Sequence, residues 1–175
     1  MEIRQATKQD IPQLISLNQE VQSIHVRLFP EVFGRVEKEE VEKWFCEILD
    51  NQSTIVLVAE DEEALVAYII FRKQIRPAHV FRNERECGYI DQVCVTELYR
   101  RRGILKAFMN EVKGIAKKWE LDRIELDVWS DNAEAKKAFI ACGFKTYNEK
   151  MEFVLSEQAL DCSPQGLPAS GPAER

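Results

Sequence analysis

Arg100, Arg101 and Arg102 stand together immediately before Gly103, between the apolar stretch "VCV" at 93–95 and a segment of helical pattern that opens at Ile104. Three guanidiniums at a strand-to-helix turn are suited to holding an anion. A helix start leaves backbone N–H groups without intrahelical partners, and its dipole favours an exposed anion by about 0.3–1 kcal/mol. Gly103 has no side chain to keep a ligand off the backbone, and each guanidinium presents a fork of donors that matches phosphate oxygens. Cations at this end of a helix run against the dipole, a conflict that a bound anion relieves. The plain alternative is a solvated arginine run satisfied by nearby glutamates. Neither G-x-x-x-x-G-K-[ST] nor G-x-G-x-x-G occurs, so the turn is neither a P-loop nor a dinucleotide fingerprint.

General basicity does not explain the cluster, because the 175-residue chain has a formal net charge of −6. That balance argues against a nucleic-acid binder and leans toward a cationic substrate. With 45% apolar and 31% charged residues, a chain of this size buries roughly 70% of its unfolded surface, enough for one globular domain. The longest apolar run, 64–71, falls well short of the ~20 residues of a membrane helix. The opening "MEIRQATKQD" lacks the apolar core of a secretory signal, so the expected address is cytoplasmic, with no membrane partner. Cys46, Cys87, Cys94, Cys142 and Cys162 never form a C-x-x-C pair, and His25 and His79 stand apart. No disulfide framework and no metal site is expected.

The elements that must position the turn follow from periodicity. "EIRQA" (2–6) is a short strand, and Thr7 and Asp10 give a helix-start signal ahead of Ile11, Leu14, Ile15, Val21 and Ile24. Pro12 is tolerated in the first turn, and Pro30 ends or interrupts the segment. Val41, Trp44, Phe45, Ile48 and Leu49 mark a second helix. Residues 53–60 and 64–75 form an antiparallel hairpin across "DEE", and 76–86 is a polar loop. A third long strand, 87–95, leads into the turn, and Ile104, Leu105, Phe108, Met109, Val112, Ile115, Ala116 and Trp119 define an amphipathic helix. Period-two alternation predicts a strand over 122–130. Asp131 or Asn132 caps a helix ended by Gly143, and a last strand or hairpin is expected over 144–155. From Ser156 the composition turns to Pro, Gly and small polar residues, predicting a disordered tail. The sum is an α+β fold with a mixed, mostly antiparallel sheet, helices on both faces and a β–α–β unit between 87 and 130.

In these residues the chain resembles the GNAT superfamily of acetyl-CoA-dependent N-acetyltransferases. Arg100-Arg101-Arg102-Gly103-Ile104-Leu105 is similar to the family's [RQ]-x-x-G-x-[GA] signature, with Leu105 in place of the usual small residue. "LDVWSDNAEAKKAFIACGF" is similar to its second block, N-x-x-A-x-x-x-Y-x-x-x-G-F, through Asn132, Ala135, Gly143 and Phe144. The resemblance covers about residues 1–155 and implies a single acetyltransferase domain there. It implies that Arg100, Arg101, Arg102, Gly103, Ile104, Leu105 and Lys106 hold the pyrophosphate of coenzyme A. Backbone groups of Val93, Cys94 and Val95 would pair with the pantetheine amides, as an added strand does. Asn132 and Phe139 would contact the same arm, although Asn132 is equally a plain helix cap.

The implied reaction, acetyl transfer from acetyl-CoA to a primary amine by direct attack in a ternary complex, needs a base and a proton for the departing thiolate. Asp91 is the first candidate base; in regular alternation it shares a face with Tyr89 and Val93. Asp127 is the second, with Glu86 and Glu125 behind them. The family's tyrosine acid is replaced by Phe139, which leaves Tyr89 and Tyr147 as substitutes, or no side-chain acid at all. Residues 22–36 are expected to line the site for the acceptor, a small-molecule or peptide amine. An edge strand or the aromatics of the second helix would serve a homodimer. Phe139 and Leu105 also keep open a non-catalytic acyl-CoA-binding or sensing module.

Overall fold

A computed structural model describes residues 1–153 and 155. Met1–Phe144 forms one compact unit, and Lys145 onward is a second. In the first, β1 (Glu2–Gln5) leads through a short 3₁₀ turn into α1 (Ile11–Leu28), followed by α2 (Lys38–Asp50). Then come β2 (Thr54–Asp61), β3 (Ala64–Arg76), β4 (Arg85–Val95), α3 (Ile104–Lys118), β5 (Ile124–Leu126) and α4 (Ala133–Ala141). The five strands lie in sequence order, antiparallel up to β4, and β4–β5 is the one parallel pair. A parallel neighbour requires a crossover, which α3 supplies.

The unbroken apolar run in β3 is explained by its place: Leu65 to Phe71 are all buried, because the central strand is covered on both faces. Tyr68 and Ile70 meet Leu14, Leu17 and Phe45 of α1 and α2. Ile69 and Phe71 meet Ile104, Phe108 and Val112 of α3. Each such fully buried side chain contributes about 1.5–3 kcal/mol. The start of α1 is tied to β1 by Asp10, which accepts from Arg4 Nη1 and Nη2 at 2.9 and 2.8 Å and from the Thr7 N–H at 2.7 Å. Arg4's hydrogen bonds hold the Asp10 carboxyl down at about 2, against the opposing effect of burial.

Gly88 in β4 is required by packing. A Cβ there would run into the Phe71 ring, which stacks on Trp119 at 5.4 Å and 9°. Gly88→Ala is expected to destabilise the fold by about 1–3 kcal/mol, read as a lower urea midpoint at unchanged slope.

Three boundaries differ from expectation. β3 runs to Arg76 and β4 begins at Arg85, so the loop is shorter than 76–86. β5 is only Ile124–Leu126, although alternation continues to Trp129, because pairing with β4 stops at Ile90. The second unit has no strand among its described residues, and Tyr147, Met151 and Phe153 are exposed there. The tail from Ser156 lies outside the described residues.

Candidate active site

The arginine turn divides its three side chains between two jobs. Arg101 and Gly103 both have positive φ, 62° and 83°, and Gly103 is the cap of α3 with no side-chain bond to the free N–H groups behind it. Backbone that alternates in this way points successive N–H groups into a concavity suited to an anion. Arg101 and Arg102 are exposed beside it, with the Arg102 guanidinium 4.8 Å from the centre of the Tyr99 ring. Arg100 is turned inward. Its Nε donates to the Val95 carbonyl at 3.1 Å and its Nη2 to Glu20 Oε1 at 3.3 Å, the carboxylate that also accepts from the Glu97 N–H. Two of the Arg100 donors thus tie α1 to the turn. Ile104 is buried and Leu105 packs against the core beneath α3, while Lys106 is exposed.

Upstream of the turn, β4 has an open edge. β5 pairs with Gly88, Tyr89 and Ile90 and goes no further, so among the described residues the β5 side of β4 has no strand partner from Asp91 to Val95. Thr96 N–H donates to Val66 O at 3.0 Å, which fixes the alternation of the antiparallel ladder. With Cys94 opposite Tyr68 and Val93 opposite Ile69, the backbone of Cys94 points into β3, and those of Val93 and Val95 point to the open edge. The backbone of Cys94 is thus taken up by β3. Its thiol donates to Leu17 O at 3.3 Å, and burial pushes it up to about 12.

Between these two regions the ladder slips. Phe71 pairs with Ile90 and Ile70 with Gln92, so Asp91 is a surplus residue, a β-bulge. The alternation expected for Tyr89, Asp91 and Val93 ends there, and Val93 packs with Ile90 toward α3. Two consecutive side chains instead reach the α1 side: Asp91 pairs with Arg72 Nε at 2.5 Å, and Gln92 accepts from Tyr68 Oη at 2.5 Å and Asn18 Nδ2 at 2.9 Å. The Arg72 guanidinium lies 5.1 Å from the centre of the Tyr89 ring, and Tyr89 Oη donates to Asp127 Oδ2 at 2.8 Å. Burial first, and the Asp127 carboxylate second, push the Tyr89 phenol above its ordinary value. Asp91, Tyr89 and Asp127 are therefore brought together on one face of the sheet. Glu125, by contrast, is buried in ion pairs with Arg76 and Arg85, and Glu86 pairs with Lys73.

Above this face, α1 and α2 enclose an open pocket of about 180 Å³, lined by Asn18, Gln22, Val36, Glu40, Val41, Trp44 and Gln92. Just past the end of α1, Phe29 and Phe33 pack on Trp129 at 4.7 and 5.2 Å, and His25 of α1 stacks on Phe33. Phe29 and Phe33 therefore form an aromatic cluster with Trp129, in the segment after β5. Asn132 acts as a helix cap, its Oδ1 accepting from the Ala135 N–H at 3.2 Å. Phe139 meets Phe144 edge to face at 5.6 Å. Tyr147 is exposed in the second unit. Sequence reasoning missed Glu20, Arg72 and the Asn18–Tyr68–Gln92 network. Asn18, a polar residue four after Leu14 on the apolar stripe of α1, was the one available signal.

Residues 18–144 match the profile of the acetyltransferase (GNAT) family. The L-amino acid N-acetyltransferase AaaT of Escherichia coli is 30% identical over 115 residues, which span 64% of this chain and 66% of that protein, just under two thirds of its length. Among solved structures, the BH1408 protein of Bacillus halodurans, as a tetramutant, is 29% identical and superposes with a TM-score of 0.83 over 89% of this chain and 100% of that one. A predicted acetyltransferase of Clostridium acetobutylicum, solved with acetyl-CoA, is 20% identical and shares the fold at a TM-score of 0.65 over 88% of this chain and 96% of that one.

Proposed function

The chain belongs to the acetyltransferase (GNAT) family, and on that premise we propose that it moves an acetyl group from acetyl-CoA to a primary amine by direct attack in a ternary complex. The observation that carries this reading is the edge of β4, without a strand partner among the described residues, running into the arginine turn. The edge offers Val93 and Val95 backbone groups to the pantetheine amides, as an added strand would. The concavity at Gly103, with Arg101 and Arg102 beside it, suits the diphosphate.

The chemistry then falls to the bulge. An alkylamine with pKa near ~10.4 reaches the site protonated at neutral pH. Asp91 takes that proton, directly or through a water, while Arg72 orients its carboxylate. The nitrogen lone pair adds to the thioester carbonyl carbon, the C–S bond breaks, the thiolate leaves with the sulfur electrons, and the nitrogen gives its second proton to water as the amide forms. With a thiol pKa of ~8.5, it regains a proton from water at modest cost. Tyr89 is the alternative donor, but its proton is shared with Asp127, and Phe139 has none to give. Direct attack is further supported by Cys94, whose buried thiol stays protonated and makes a poor acyl acceptor. A cytoplasmic enzyme with one domain over 1–155 belongs to the same proposal.

Mixing the protein with acetyl-CoA and a panel of amines while following free thiol tests it. Amine-dependent thiol release is expected. Absence of acetyl-CoA uptake by calorimetry overturns it. Uptake without turnover of any amine favours a sensing module, the reading that Phe139 in the tyrosine position motivates.

A further inference from the structure

The pocket between α1 and α2 lies beside the bulge, because Gln92, part of its lining, is the residue after Asp91 and shares its face. Asp91 and the pocket thus lie on the same face of the sheet, next to each other through Gln92. Asn18 and Gln22 supply uncharged oxygens that accept from N–H donors, while Gln92 Oε1 is already taken by Tyr68 Oη and Asn18 Nδ2. Glu40 is the charged member of the lining, and Trp44, 36% exposed, presents an indole beside it. A carboxylate and an indole face together recognise an ammonium, through charge and through the ring quadrupole. Val36 and Val41 give the sides of the pocket an apolar character that suits methylenes. The pocket, about 180 Å³ and open on one side, has room for an ammonium group and the methylenes that carry it. Burial also fixes the floor: Asn18 is 3% exposed and Tyr68 fully buried, and both are hydrogen-bonded to Gln92.

We propose that this pocket receives a second, protonated amine of the acceptor, so that the preferred substrate is a short aliphatic diamine. The inference rests on the acetyl-transfer reading above and narrows its acceptor. A substrate carboxylate would meet Glu40 with the wrong sign. A plain monoamine would leave the carboxylate and the indole without a partner. Release of the product follows from the same logic, since the acetylated end loses its charge while the other end keeps it.

The test compares 1,4-diaminobutane with butylamine as acceptors at saturating acetyl-CoA, in the unsubstituted protein and in Glu40→Gln. Glu40 is exposed on the first turn of α2, and acetyl-CoA affinity serves as the folding control. A preference of about tenfold in kcat/KM for the diamine is expected, the scale of an exposed ion pair plus a cation–π contact. It should appear in KM and vanish in Glu40→Gln. Equal use of both amines by the unsubstituted protein, or a preference that survives Glu40→Gln, overturns the inference and leaves acetyl transfer standing. If neither amine is acetylated, calorimetric titration of both into the coenzyme A complex decides. Tighter diamine binding lost in Glu40→Gln upholds the pocket, whereas no binding overturns this inference; the transfer reading is decided separately by the amine panel and by acetyl-CoA uptake.

Discussion

Asp91→Asn is expected to lower kcat by about a hundred- to ten-thousandfold, the usual contribution of a positioned base, with acetyl-CoA affinity unchanged. Asparagine keeps the shape of the side chain and the bulge, but it cannot accept the ammonium proton. Asp127→Asn should cost only about tenfold, because that carboxylate acts on Tyr89, whose hydroxyl donates to it at 2.8 Å. Single-turnover rates with preloaded acetyl-CoA separate this chemical step from binding. A small loss at Asp91 and a large one at Asp127 would transfer the base to the end of β5.

The second large effect lies in the arginine turn. Arg101→Glu combined with Arg102→Glu should weaken acetyl-CoA binding by at least about a hundredfold, since each charge-assisted hydrogen bond contributes roughly 1.5–3 kcal/mol. Calorimetry at low and moderate salt measures it, and the salt dependence of binding should flatten as the charges are removed. Arg100→Ala is the contrasting variant. Its guanidinium spans the Val95 carbonyl and Glu20, so its loss should lower the thermal midpoint as well as affinity. Unchanged binding after reversal of both exposed arginines would remove the diphosphate from this turn.

Legibility in the sequence followed the range of the interactions. The turn, its glycine and the amphipathic α3 are local patterns, and each appears where periodicity and capping put it. The second helix and the β2–β3 hairpin are equally local. What alternation could not show was the slip at Asp91, because a bulge is set by the partner strand: nothing in "YIDQV" marks which residue β3 skips. The same holds for β5, whose length is decided by where β4 diverges rather than by its own apolar pattern. Arg72, Asn18 and Glu20 join the site from β3 and α1 across long stretches of chain, so no spacing within a segment announces them. Arg100 illustrates the limit within a motif, since three adjacent arginines read alike until the carbonyl of Val95 and the carboxylate of Glu20 claim one.

The skipped position has a genetic corollary. Removing the Asp91 codon would restore strict two-residue rhythm to β4, with Cys94 still opposite Tyr68 and Val95 still opposite Ala67. Both apolar layers would keep their occupants. The aspartate is therefore surplus to the strand pairing, and its in-frame deletion is expected to leave a folded protein whose acetyl transfer, on the proposed role of Asp91, is lost.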